Sequence, residues 1–374
     1  MDISLATPLL GPLTPGTFMQ RHWQRKPLLV RQALPGATPV VDRAQLFELA
    51  ARDDVESRLV THEHGQWALR HGPFRRRALP ALNRSGWTLL VQGVDLHLDA
   101  AHQLLSRFRF VPDARLDDLM LSYASDGGGV GPHVDSYDVF LLQLQGRRRW
   151  RIGRLANPAL EPGLPLKILS NFVPEQECLL EPGDMLYLPP RWAHEGVAQG
   201  ECITASIGFR APGRDEIGRE VLQRMLDAAE APEKDPLYRD PLQAATKNPG
   251  RIPLALNSFA ASSVARFAAD PQGLACALGE VLSDPKAGVR FDPGSPLAGH
   301  RGIVLDRRTR MMYDDRHVFV NGESYRASGR DATLMRSLAD RRVLLASGVG
   351  SLSTEAHELL NQWAAAGWLH AALP

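Results

Sequence analysis

His133 and Asp135 stand two apart in Gly131-Pro-His133-Val-Asp135-Ser-Tyr137. On an extended strand, residues two apart share a face. One imidazole and one carboxylate side by side can fill two adjacent positions around a divalent metal. The third ligand must come from elsewhere. Glu181-Pro-Gly-Asp-Met-Leu-Tyr-Leu-Pro-Pro-Arg-Trp-Ala-His194 offers it after some 58 residues: a turn launches an apolar strand, two prolines end it, and His194 follows. A lone His-x-Asp arises by chance; with a histidine behind such a turn it is far more specific. Two histidines and a carboxylate on one face of an ion leave the other face open. That is the arrangement of non-haem iron(II) oxygenases, whose open positions take a bidentate 2-oxo acid and then O2. His133, Asp135 and His194 are therefore read as ligands of one catalytic iron(II). The alternative is a pair of surface histidines near a glycine loop.

The co-substrate must also be held. Gly146 is read as ending one strand, with Arg147-Arg-Arg-Trp150 beginning the returning one. Alternation puts Arg148 and Trp150 on one face and Arg147 and Arg149 on the other. A cation facing a barrel interior is costly without a partner. The far carboxylate of 2-oxoglutarate would supply one, since arginine binds a carboxylate with two parallel hydrogen bonds. One strand earlier, Ser122 could help hold that carboxylate or be an ordinary strand serine. Asp118, on the same face, could meet a cationic substrate or be an exposed acid at the strand start. His62 and His64 form a second His-x-His with no downstream partner, and are read as exposed. His300 is among the other histidines left out of the set.

These residues need a β scaffold, and the sequence supplies one. Leu119–Tyr123, Val139–Leu144, Arg149–Ile152, Met185–Leu188 and Ile203–Phe209 are short apolar or alternating runs punctuated by glycine and proline turns, which suggests a sandwich or barrel. Before them, Phe18–Trp23 and Asp42–Ala50 have helical spacing, the second with Asp42 as N-cap. After Ala211-Pro-Gly213 the spacing of Ile217, Val221, Leu222, Met225 and Leu226 is helical. Pro232, Pro236, Pro241 and Pro249 interrupt it, and helix resumes between about 258 and 283. Such helices need an apolar partner, and a second copy of the chain would provide one. From residue 300 on, two strands, a hairpin turn at Asn321-Gly322 and two helices fit a winged-helix-like module.

The 374 residues suffice for two or three domains. Lys plus Arg number 43 and Asp plus Glu 42, a net charge of +1, so no global field recruits nucleic acid or a membrane. The 10 arginines and 8 acids from residue 296 onward are a weak basic bias, favouring a scaffold or protein-contact domain over a DNA binder. Cys178, Cys202 and Cys276 are too scattered for a disulfide framework and read as buried thiols of a cytoplasmic protein. No stretch reads as a signal peptide or membrane span.

The chain resembles the bacterial Jumonji C ribosomal oxygenases. The likeness lies in Gly127-Gly-Gly-Val-Gly-Pro-His-Val-Asp-Ser-Tyr-Asp-Val-Phe140, Gly146-Arg-Arg-Arg-Trp150, Glu181-Pro-Gly-Asp184, Tyr187-Leu-Pro-Pro190, His194-Glu-Gly196, Ser206–Pro212 and Phe18…Trp23…Lys26-Pro27. It extends over essentially the whole chain. It implies an α+β fold: a double-stranded β-helix (cupin or jelly-roll) catalytic domain over 1–212, a helical dimerisation domain over 213–295 and a winged-helix-like domain over 296–374. It implies His133, Asp135 and His194 as iron ligands, and Arg148 and Ser122 as 2-oxoglutarate contacts. The implied reaction is hydroxylation of an arginine β-carbon in the sixteenth protein of the large ribosomal subunit by a homodimer. Asp118 and Tyr137 are then candidates to hold the substrate guanidinium by charge and stacking. Two other readings stay open: hydroxylation of His or Asn in another protein, and a small-molecule cupin metalloenzyme. A non-catalytic binding module fits least, because all three ligands are present.

Overall fold

The computed structural model describes residues 2–36, 40–229, 236–297 and 302–372; Pro232 and His300 lie outside them. The chain divides into two compact units, Met1–Ala211 and Pro212–Pro374.

The first unit opens with α1 (Pro15–Arg21), β1 (Leu28–Val30), α2 (Arg43–Ala50), β2 (Ser57–Glu63), β3 (Gln66–His71), β4 (Trp87–Val91) and α3 (Asp99–Ser106). Thr14 caps α1 through the Thr17 N–H, and Asp42 with Gln45 closes a capping box on α2. The strands of the expected sandwich follow: β5 (Leu116–Ala124), β6 (His133–Val134), β7 (Val139–Arg154), β8 (Gln176–Leu180), β9 (Met185–Leu188) and β10 (Trp192–Phe209). They lie in a ten-stranded antiparallel sheet of order β1-β9-β7-β10-β5-β4-β2-β3, with β6 on β10 and β8 on β7. One apolar cluster packs the N-terminal helices against the sheet through Phe18, Leu46, Phe140 and Tyr187. A second, with Val139, Leu141, Trp150, Ile152 and Leu188, uses the alternate residues of the same strands.

The long strands correct one expectation. Gly146 does not end a strand: β7 runs through it, pairing with β9 over Val139–Leu142 and with β8 over Arg148–Ile152. Gly146 sits at φ +63°, where the pairing of β7 with β10 shifts register. A Cβ there would lie 2.0 Å from the Glu201 carbonyl oxygen. The glycine thus bends one continuous strand rather than reversing it. The face assignment survives, because alternation resumes after the bend: Arg148 and Trp150 are buried, Arg147 exposed.

The second unit holds α4 (Arg214–Asp227), α5 (Leu254–Ala268), α6 (Pro271–Ser283), β11 (Ile303–Leu305), β12 (Met311–Tyr313), β13 (His317–Val320), β14 (Glu323–Arg326), α7 (Gly329–Arg341), β15 (Val343–Leu344), α8 (Ala346–Val349), α9 (Thr354–Ala365) and β16 (Leu369–Ala371). Asn321 and Gly322, both at positive φ, join β13 to β14 as the sequence predicts. Among its core residues are Met335, Leu338, Leu360 and Trp363. All three cysteines are free thiols, but only Cys202 is buried; Cys178 and Cys276 are half-buried, at sites that sequence spacing alone could not grade.

Asp306 knits this unit together. Its carboxylate accepts from Arg308 Nε at 2.8 Å and lies 3.0 Å from His370 Nε2. Burial would raise this carboxyl, but the Arg308 and His370 hydrogen bonds outweigh it and hold it at about 2 against an ordinary 3.8. A depressed carboxyl contributes stability that is complete above its unfolded value and lost as pH falls through the folded one. The shift corresponds to about 2 kcal/mol. Urea melts of the second unit's signal should therefore weaken between about pH 4 and pH 2, and Asp306→Asn should lose a similar amount at pH 7 and flatten that dependence. An unchanged pH profile in the variant would refute the assignment.

Candidate metal centre and co-substrate pocket

The two-residue strand β6 pairs with β10 in the register His133↔His194. The pairing sets the two imidazoles side by side, with ring centroids 4.2 Å apart. Asp135 leaves β6 immediately afterwards, and its carbonyl accepts the Arg191 N–H at 2.8 Å. Its Oδ2 lies 3.6 Å from His194 Nε2 and 4.0 Å from His133 Nε2. Donor atoms of all three residues fall within 4.8 Å of one another, and no other such group occurs among the described residues.

Each histidine is oriented by the backbone two residues before it. His133 Nδ1 is 2.9 Å from the Gly131 carbonyl, and His194 Nδ1 is 2.9 Å from the Trp192 carbonyl. A carbonyl only accepts, so Nδ1 carries the proton and Nε2 turns its lone pair towards Asp135. Burial, helped by His133 and opposed by Asp135, pushes the His194 imidazole down to about 4. It is neutral near pH 7, as a metal ligand must be. Two neutral nitrogens and one carboxylate oxygen on one side of a cavity suit a divalent first-row ion.

Arg148 lies alongside on the same scaffold. It is buried, with no acidic partner among the described residues. One terminal nitrogen donates to Ser122 Oγ at 3.0 Å and to Thr204 Oγ1 at 3.4 Å; Nε is buried without any partner. Thr204 donates in turn to Gln143 Oε1 at 2.9 Å. The Trp150 ring sits 5.3 Å from the guanidinium carbon. Burial pushes the guanidinium below its ordinary value. A buried cation met only by neutral hydroxyls is poorly compensated, so a bound carboxylate is the partner the pocket lacks. Thr204 faces the core, as alternation predicts, and Gln143, which the sequence reading missed, joins it in supporting Arg148. Thr204 pairs with Ser122 on one side and Gln143 on the other, a polar row across three strands. The available signal was a polar residue in the middle of each of three apolar runs.

Gly196, opposite Trp150 on β10, leaves room for this cluster. A Cβ there would stand 2.8 Å from Trp150 Cη2 and Cζ3 and 3.0 Å from Arg148 Nε. Overpacking of that kind costs about 1–3 kcal/mol. Gly196→Ala should lower the unfolding midpoint and weaken 2-oxoglutarate binding together, as titration calorimetry would show. Wild-type affinity would contradict this packing.

Asp118 is buried rather than exposed, and its Oδ2 accepts from Gln92 Nε2 at 2.7 Å and the Gly93 N–H at 3.0 Å. Tyr137 is 40% exposed. Desolvation, then the charges of Asp135 and Asp118, push its phenol above the ordinary value. The next residue, Asp138, is fully buried and was overlooked in the sequence. It accepts from Tyr187 Oη at 2.5 Å and Gln24 Nε2 at 3.0 Å, with Arg115 at 3.5 Å. Those bonds pin the base of the Tyr137 loop. His62 and His64 are exposed as expected, His62 stacking on Trp67 at 4.0 Å.

Comparison with known proteins places this geometry. The JmjC domain family matches residues 103–217, and the ROXA-like winged helix family matches residues 266–370. Ribosomal protein uL16 3-hydroxylase of Escherichia coli is 40% identical over 216 residues, covering 56% of this chain and 57% of the relative. The probable ribosomal oxygenase of Haemophilus influenzae is 37% identical over 206 residues, covering 54% and 50%. In sequence, then, the chain spans little more than half the length of these curated relatives. The structural likeness is broader. The X-ray structure of Escherichia coli YcfD superposes with a TM-score of 0.82 at 29% identity, covering 97% of this chain and 99% of that one. YcfD in complex with cobalt and 2-oxoglutarate gives 0.77 at 29% identity, covering 96% and 98%. The core is accordingly the double-stranded β-helix of a JmjC domain, followed by helices and a ROXA-like winged helix, and the chain is similar to the ribosomal oxygenases in sequence over about half its length and in fold over nearly all of it.

Proposed function

We propose that this chain is an iron(II)- and 2-oxoglutarate-dependent protein hydroxylase acting on an arginine β-carbon of ribosomal protein uL16. The observation that carries the oxygenase reading is the pairing of an open His133–Asp135–His194 face with a buried, acid-free Arg148 on one scaffold. When bound, iron(II) with 2-oxoglutarate supplies the oxidising power to place an oxygen atom from O2 on carbon. The chain does the rest. His133, Asp135 and His194 hold the ion; Arg148, steadied by Ser122 and Thr204, holds the far carboxylate; the apolar lining around Trp150, Leu180 and Leu188 excludes water. Asp118, buried, and Tyr137, partly exposed, are proposed to hold the substrate guanidinium. The target is supported by the name of the Escherichia coli relative.

The domains are proposed as 1–212, 213–295 and 296–374, the middle one dimerising. Leu222, Leu226, Leu254 and Val264 are exposed on its helices, which supports a second copy as partner. A cytoplasmic location fits a ribosomal substrate, and no described helix is long and apolar enough to cross a membrane. The test is incubation with purified uL16, iron(II) and 2-oxoglutarate. Succinate release with one added oxygen atom on an arginine of uL16 is expected. Succinate with modification of a His or Asn in another protein would overturn the target; no succinate would overturn the oxygenase.

A further inference from the structure

A cavity of about 570 Å³ lies within the second unit, lined by residues 315–336. Its lining is polar: Arg316, Arg326, Arg336, Asp315, Ser328 and Thr333. The three arginines come from separate places, just before β13, at the end of β14 and in the second turn of α7. The Ala327 N–H to Arg316 carbonyl bond, 3.4 Å, closes the base of the hairpin and sets the first two near each other. Arg336 is already oriented: it donates to the Asp315 carbonyl at 2.8 Å and lies 5.6 Å over the Tyr313 ring. These contacts leave further N–H groups of its guanidinium for a ligand.

The acids nearby do not neutralise this set. Asp314 is committed to the Arg316 and His317 N–H groups and the His317 ring. Asp340 accepts from Tyr313 Oη, and Asp331 from the Ser353 N–H. Asp315 alone among the lining residues is acidic, so three guanidinium charges face one carboxylate. Neither Arg316 nor Arg326 has a side-chain acid partner among the described residues. The lining carries no aromatic ring on which a base could stack.

From this we infer a second binding site, in the winged-helix unit, that takes a phosphate-bearing anion through Arg316, Arg326 and Arg336. Planar guanidinium forks match phosphate oxygens, and three of them suit a pyrophosphate group or adjacent backbone phosphates. Such a site does not depend on the proposed oxygenase activity.

The test uses the full chain and two probes, inorganic pyrophosphate and a short single-stranded RNA, with acetate as control, read by titration calorimetry in low salt. Binding of at least one phosphate probe is expected, with affinity falling as salt rises. Arg316→Ala and Arg326→Ala, at exposed positions where folding is not at stake, should each weaken it roughly tenfold, the size of one lost charge-assisted hydrogen bond. Pyrophosphate binding alone identifies a small-anion site; RNA binding with the same sensitivity identifies backbone phosphates. The proposal fails if neither probe binds, if acetate binds equally well, or if both variants retain wild-type affinity. Circular dichroism of the variants separates lost binding from lost fold.

Discussion

Asp135→Ala should abolish metal-dependent turnover while leaving the fold intact. Asp135 supplies the one carboxylate of the candidate centre, and its Oδ2 lies 4.0 Å and 3.6 Å from the two Nε2 atoms. Removing a group that merely orients a ligand costs roughly 10–100-fold in metal affinity or activity. Loss of the ligand itself should exceed that, leaving two neutral histidines and no charge to offset a dication. The side chain is only partly buried, and the backbone carbonyl that anchors the segment through Arg191 is untouched. The thermal midpoint of the apo protein should therefore hardly move. Cobalt titration followed by visible absorption reads the metal directly, and succinate formation reads turnover. Wild-type cobalt affinity or wild-type succinate yield in Asp135→Ala would remove the basis for this centre.

Arg148→Met should move stability and binding in opposite directions. The guanidinium is buried with one unpartnered nitrogen and no acid to face. Methionine has comparable length, fills irregular apolar space and carries no charge. Replacing poorly compensated buried charge with apolar volume raises stability by about 1–4 kcal/mol in favourable cases. The same change removes the cation for the far carboxylate of 2-oxoglutarate. Losing one partner of a buried charge pair costs about 2–5 kcal/mol, which places the rise in KM for 2-oxoglutarate on the order of 10²–10³-fold. Differential scanning calorimetry and a 2-oxoglutarate titration check both halves. A lower midpoint combined with an unchanged KM would show that Arg148 is a structural residue.

The candidate metal ligands were legible because such chemistry restricts residue types and spacing. A His-x-Asp pair is a local strand property, and the turn before His194 is built from glycine and prolines whose conformations are stiff. Arg148 was legible for a similar reason, since alternation carries its face through the bend at Gly146. The bend itself was not. A glycine beside a charged run looks the same in sequence whether the chain reverses or continues, and only the pairing of Gln145 with Ile203 and Arg147 with Gln199 on the far strand decides it. Gln143 and Asp138, and the polar contacts of Thr204, escaped for the same reason. Thr204 meets Gln143 and Arg148 at separations of 61 and 56 positions, and Asp138 meets Tyr187 at 49, which no local pattern reports. The reading of Asp118 as either an exposed acid or a substrate contact gave no weight to a third role, bonding to the turn before α3.

Strand β10 carries His194 near one end and Thr204 near the other, and it pairs with β5, β6 and β7 along the way. Metal ligand and carboxylate cradle are thus stations on a single rail. Amide exchange along Trp192–Phe209 should slow as one block when either the ion or the 2-oxo acid binds, because neither end can loosen without the other. The order in which the two arrive then matters less to the protein than to the chemistry: whichever comes first stiffens the place where the second will sit.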